Sequence, residues 1–184
     1  MPKIVAIVEG QTEEHFIRKT YPSALILRPF TNGRDVDLAL IARKIAAPLA
    51  RIGMGFDDFI ILIDRERRTM SAAELEERLR SELEKLEPMR QFSIGVPDIH
   101  IENWILADET EMRRRYGETF TYEGDGTPAK GALRALSGIS HSPLEKAELL
   151  KACSADEIAN KSPSFECFRT RVRCDWVWLK GKAA

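Results

Sequence analysis

Acidic residues stand just beyond the apolar runs of this chain, where oxygen ligands for a hard cation would be expected. Glu9 closes the run IVAIV and is followed by Gly10. Asp64 closes FIILI with Glu66 two residues on, and Asp98 and Glu102 follow FSIGV. In an extended segment, residues two apart project to the same side, so Asp64 and Glu66 are expected to face one cavity while Arg65 and Arg67 point away. Carboxylates that converge in one cleft repel unless a cation or shared protons offset the charge. Mg²⁺ or Mn²⁺ is the simplest offset, because such ions prefer oxygen ligands and leave positions for water and phosphate oxygens. That points to phosphoryl-transfer chemistry. Gly10 fits, since a residue without Cβ allows close approach of backbone and substrate. Thr12 is placed to cap a helix whose N-terminus favours anions.

Each of these residues also has a structural reading. A carboxylate at a strand end is often a solvated turn residue, and Glu13 and Glu14 sit in a first helical turn, where the dipole favours acids. Glu66 and Glu102 are suited to exposed ion pairs, which contribute little. The coincidence of Glu9 with Asp64 is what favours a site, with Glu13, Glu66 and Glu102 as its further members. Arg65, Arg67 and Arg68 flank the acidic pair, and Lys130 lies in a glycine-rich stretch where it can reach a phosphate. The run Arg113 to Arg115 reads first as a solvated face. His15, His100 and His141 are scattered; His100 is close to Glu102 in sequence, but a lone histidine is more often satisfied structurally. Trp104, Trp176 and Trp178 read as packing aromatics.

The elements that must position these residues follow from periodicity. Residues 4–8, 24–27, 59–63 and 92–96 are short apolar runs. The first and third are apolar throughout, as central parallel strands covered on both faces should be. Leu38, Ile41, Ile45, Leu49 and Ile52 recur at helical spacing, with Pro48 as a kink or break, and so do Leu75, Leu79, Leu83 and Leu86. The alternation predicts an α/β fold: a Rossmann-like, mostly parallel four-stranded sheet flanked by helices. If the strand order is 2-1-3-4, Glu9 meets the Asp64 pair. Beyond the sheet, residues 103–116 read as a helix, YEGDGTPAKGALRALSG as a loop and short helix, and residues 164–172 as a helix that packs back through Phe165, Phe168 and Val172. One domain over 1–184 is expected, with the acidic site in a sheet core over 1–110 and a helical C-terminal extension over 111–184.

Composition narrows the function classes. Of 184 residues, 43% are hydrophobic and 31% charged, and the formal net charge is -1. This lacks the basic excess of a passive nucleic-acid coat, so any polyanion contact must come from local patches or bound cations. Cys153, Cys167 and Cys174 have no C-x-x-C spacing and read as reduced packing residues. With no leader-like or membrane-spanning run, a cytoplasmic protein without a membrane partner is expected.

The segments IVAIVEGQTEEHFI, FIILIDRER and IHIENWILAD resemble the Toprim fold, as found in a family of small bacterial Toprim-like proteins related to the nuclease domain of OLD-family endonucleases. GDGTPAKGALRAL and SPSFECFRTRV resemble that family's C-terminal part. Toprim motifs are a glutamate after the first strand and an acidic D-x-D after the third. Glu9 and Asp64 match, while Glu66 stands in place of the second aspartate, keeping the charge on a longer arm. The resemblance implies hydrolysis of phosphodiester bonds in DNA or RNA with Mg²⁺ or Mn²⁺ held by Glu9, Asp64, Glu66 and Glu102. Glu13 would bind a second metal or orient the water, completing a catalytic set of Glu9, Asp64, Glu66 and Glu13. Gly10, Arg65, Arg67 and Lys130 would meet substrate phosphates. Tyr21, Tyr116 and Tyr122 lie in packing contexts, so hydrolysis is favoured over a tyrosine nucleophile. The resemblance also implies a role in defence against phage or foreign DNA. Two other readings stand beside the nuclease. One is a non-catalytic or partner-dependent subunit of a separate ATPase, since the chain carries no G-x-x-x-x-G-K-[ST] loop of its own; the other is an interaction module whose acids are surface residues.

Overall fold

Strands β1 (Ile4–Val8) and β3 (Asp58–Leu62) are buried along their whole length. The computed structural model describes residues 3–29, 37–53, 55–66, 68–117 and 119–181. With β2 (Leu25–Leu27) and β4 (Phe92–Gly95), these strands form an all-parallel sheet in the order β2-β1-β3-β4. Val8 pairs with Leu62 and Leu62 with Gly95, so β1, β3 and β4 end level and the residues after them enter one neighbourhood. The α/β fold is as expected.

Helices α1 (Gln11–Thr20), α2 (Leu38–Leu49) and α3 (Ala72–Leu86) connect the strands. After β4 come α4 (Glu102–Ala107), α5 (Glu109–Tyr116), α6 (Ala129–Ser137), α7 (Pro143–Ala152), α8 (Ala155–Lys161), α9 (Pro163–Arg171) and a 3-10 turn at Val177–Lys180. On one face of the sheet, Ile41, Ile45 and Leu49 of α2 and Leu75, Leu79 and Leu83 of α3 share a core with Val5, Ile7, Phe59, Ile61 and Ile94. Pro48 lies in the last turn of α2 and does not split the helix. The opposite core joins Ile4, Ala6, Val8, Ile60 and Leu62 to α1 and the C-terminal helices through Phe16, Trp104, Phe165, Phe168 and Trp176. The C-terminal helices therefore supply a layer of the sandwich and are more than an appendage.

The expected helix over 103–116 is two. Asp108 separates them, and its carboxylate accepts the N–H of Glu111 at 2.9 Å, capping α5, and that of Ser154 at 2.7 Å, tying α8 to the same corner. Helix α7 begins with a capping box, in which Ser142 accepts from Glu145 N–H at 3.3 Å and the Glu145 carboxylate accepts from Ser142 N–H at 2.6 Å. Pairing in β3 starts at Asp58, whose buried carboxylate accepts the N–H groups of Phe59 at 2.9 Å, Arg173 at 3.0 Å and Cys174 at 3.3 Å. That carboxylate fastens the C-terminal segment to the base of the sheet. Gly95 is required by packing, since a Cβ there would lie 2.7 Å from Leu62 Cδ2 and 2.9 Å from Phe168 Cδ2. Phe168 in turn stacks on Trp104, with ring centroids 5.6 Å apart. The three cysteines are free thiols. No helix among the described residues is long and apolar enough to cross a membrane.

Candidate functional site

Because β1 and β3 are neighbours, the residues that follow them meet. Glu9 N–H donates to the Leu62 carbonyl at 3.2 Å, extending the ladder one step. Its carboxylate then accepts the backbone N–H of Asp64 at 3.0 Å. The chain leaves the strand ladder at Glu66. Ile63 and Arg65 still donate to the Gly95 and Pro97 carbonyls, each at 3.1 Å, but Glu66 turns into the left-handed region at φ 50 and donates to Ile99 at 2.8 Å. The ladder thus runs through Arg65, and the left-handed turn comes at Glu66 itself. The Glu66 charge is felt at both Glu9 and Asp64. Ile99, across that turn, also has a positive φ of 61, an outlier for a β-branched residue.

The entrance to α1 brings in Glu13. Gly10 is the N-cap and gives no side-chain cap, so Thr12 lies inside the first turn and is not the cap. Glu13 is 5% exposed, and its carboxyl is held by the backbone N–H groups of Gly10 and of Glu13 itself, as an acid at the third helical position can be. Gly10 is extended, with φ -116 and ψ 176, so its glycine is a matter of space and not of dihedral. A Cβ there would lie 2.5 Å from Glu13 Oε2. The room Gly10 leaves is filled by that carboxylate.

Glu102 opens α4 and is 1% exposed. Its Oε1 accepts from Lys146 Nζ at 2.6 Å, while its Oε2 has no hydrogen-bond partner. Asp64 is similar, with Oδ2 3.3 Å from His100 Nδ1 and Oδ1 without a partner. A buried acceptor left unpaired costs about 1–3 kcal/mol, more when charged.

Burial, followed by the Glu66 charge, pushes the Glu9 carboxyl up to about 7, against the opposing pull of Arg68. Burial and then Asp64 push Glu13 up to about 8. Asp64 is held well above the carboxylate range by burial and then by Glu102 and Glu9, with Lys130 opposing. Burial and the Lys130 charge lower the His100 pKa. Near neutral pH the Glu9 and Glu13 carboxyls thus hold protons or call for a cation. The donors are all hard oxygens and two of them are orphaned, which suits Mg²⁺ or Mn²⁺. Among the described residues, no three His, Cys, Asp or Glu side chains form a ready-made cage; Mg²⁺ usually takes one or two protein carboxylates and completes its shell with water and substrate oxygens.

No family model, curated protein or solved structure matches this chain.

The basic residues divide into those already engaged and those left open. Arg65 pairs with Asp98 and donates to the Arg68 carbonyl at 2.8 Å, so it braces the turn after β3. Arg68 is buried and donates to the Asp64 carbonyl at 2.7 Å. Arg67 lies outside the described residues. Lys130 is exposed at the start of α6, and its charge reaches Asp64 and His100. Arg113, Arg114 and Arg115 are paired with Glu109 and Glu111, as a solvated face would be. Sequence reasoning did not single out His100 or Lys146 for the site. His100 had one signal, its closeness to Glu102 in the chain. Lys146 had none, because its partner is reached only through tertiary packing.

Proposed function

We propose that this chain is a divalent-metal-dependent hydrolase of phosphodiester bonds in nucleic acid, DNA or RNA, built on a Toprim-like sheet. The observation that carries this reading is the hydrogen bond from Asp64 to the Glu9 carboxylate at the ends of adjacent central strands, beside Glu13, Glu66 and Glu102. In open α/β sheets, ligands bind beyond the carboxyl ends of strands where the order reverses. In the order β2-β1-β3-β4 that point lies between β1 and β3.

Glu9, Asp64, Glu66 and Glu102 would hold Mg²⁺ or Mn²⁺. When bound, such an ion stabilises charge on the phosphoryl oxygens and lowers the pKa of water. Asp64 is held in place by its N–H bond to Glu9 and by His100, while its Oδ1 is buried without a hydrogen-bond partner. Glu13, held up at about 8, exchanges a proton near neutral pH beside Asp64 and Glu102, and is suited to orient the attacking water. Lys130 offers positive charge to a phosphate oxygen. The tyrosines are committed to packing: Tyr122 bonds Asn103 and Asp125, Tyr116 lies 3.2 Å from His141, and Tyr21 is buried. Water is therefore the nucleophile of this proposal. A role in defence against phage or foreign DNA belongs to this Toprim-type reading, while dependence on a separate ATPase belongs to the alternative of a partner-dependent subunit.

The test is cleavage of labelled DNA and RNA by the purified chain with Mg²⁺ or Mn²⁺, beside Glu9→Gln from an identical preparation. Cleavage by the unmodified chain alone supports the reading, and equal cleavage by both removes Glu9 from the chemistry.

A further inference from the structure

Next to the carboxylates lies a cavity of about 300 Å³ lined by Glu102, Lys130, Gly131, Arg134, His141 and Lys146. Its fixed charges are three cations against one carboxylate, and that carboxylate is already paired with Lys146 at 2.6 Å. Lys130 and Arg134 are four residues apart on α6, and like charges at that spacing destabilise a helix. Neither forms an ion pair with any described residue. The run Arg113 to Arg115 is the contrast, with each member paired to Glu109 or Glu111. Two unpaired cations facing a cavity lower the cost of taking an anion out of water, and the guanidinium fork of an arginine matches phosphate geometry.

Glu102 joins the cavity to the acidic site. Its Oε1 fixes Lys146 within the cavity wall, its Oε2 is orphaned, and its charge raises Asp64. Lys130 likewise lines the cavity while its field reaches Asp64 and His100. We infer that this cavity is a subsite for a phosphate of the nucleic-acid strand, seating the phosphate next to the one that lies over Glu9 and Asp64. The inference rests on the nucleic-acid reading above and adds Arg134, Lys146 and His141 to the residues that position the strand.

The experiment measures binding without cleavage. A labelled single-stranded oligonucleotide is titrated with the full chain in chelator-containing buffer, followed by fluorescence anisotropy over a series of salt concentrations. Arg134→Gln is expected to weaken binding about tenfold, the loss of one charge-assisted phosphate contact. It should also flatten the dependence of log K on log salt by about 0.7, the counterion term for one single-strand phosphate. Gly131→Leu, at a position where an added Cβ meets no atom, fills the cavity without changing charge and should weaken binding too. Arg114→Gln, which removes a paired arginine, should leave affinity and slope unchanged. Unchanged binding in Arg134→Gln, equal loss in Arg114→Gln, or no oligonucleotide binding by the unmodified chain would each overturn the subsite. Because the readout needs neither metal nor hydrolysis, a failure of the nuclease reading in the cleavage assay is seen separately.

Discussion

The Glu9 carboxylate accepts the backbone N–H of Asp64 at 3.0 Å, across the ends of the two central strands. A side chain from one strand thus completes the hydrogen bonding of the next where the ladder stops, and two acids that repel are held together by a neutral donor. The bond stabilises the charged form of Glu9, yet burial and Glu66 outweigh it and the carboxyl still rises to about 7. The arrangement costs stability unless something positive arrives.

Glu9→Gln and Asp64→Asn should each lower divalent-metal-dependent cleavage more than a hundredfold, while circular dichroism shows the fold retained. In metal-free buffer at about pH 8 Glu9→Gln should melt higher than the unmodified chain, because that carboxyl, at about 7, is charged there and a neutral isostere removes repulsion and keeps the shape. Lower melting in both would make these acids structural.

Stability should fall with pH across the neutral range in the absence of divalent ions. Glu9 and Glu13 sit at about 7 and about 8 when folded, against 4.5 as the ordinary value. The folded state then binds more protons than the unfolded one, so their contribution is full below about 4.5 and is lost as pH rises through 7 to 8. Carboxylates with lowered values, such as Glu111 at about 2, act in the opposite sense and only in acid. Thermal melts from about pH 5 to 8 should show this decline, and millimolar Mg²⁺ should reverse it at the alkaline end more than at the acid end.

His100→Ala removes the contact at 3.3 Å from Asp64 Oδ2. Residues that orient a ligand carboxylate typically matter 10–100-fold in activity or metal affinity, and a loss of roughly that size is expected in both the cleavage rate and the Mn²⁺ affinity. The melting temperature should change little, since His100 is only partly buried.

Gly10→Ala places a Cβ where Glu13 Oε2 now lies 2.5 Å away, so it should act by displacing that carboxylate. The expected result is reduced cleavage that is not additive with Glu13→Ala. Once the Glu13 carboxylate is gone, alanine at position 10 has little left to disturb, and a double-mutant cycle measures the coupling. Additive losses would separate the two residues.

The sheet was legible because its central strands are apolar without interruption, and in a small α/β chain that pattern leaves few topologies. Glu9 and Asp64 were legible for the same reason, as the first charges after Val8 and Ile63. Glu66 stands at a left-handed turn where the ladder through Arg65 ends, a feature that the apolar pattern of β3 does not encode. Helix α7 escaped notice because its apolar residues do not follow one clean stripe, although the S-P-L-E start is a capping-box signature. The break at Asp108 is fixed by a bond to Ser154, far along the chain. Lys146 meets Glu102 only when α7 packs near α4, a contact that no local pattern encodes.

The most direct measurement of the central claim is Mn²⁺ binding, read by electron paramagnetic resonance titration of the unmodified chain, Glu9→Gln and Asp64→Asn. It needs neither substrate nor partner. The account predicts bound Mn²⁺ in the unmodified chain and at least about tenfold weaker binding in each variant, because each removes an anionic ligand from the cluster. Binding that is absent, or equal in all three proteins, would contradict it.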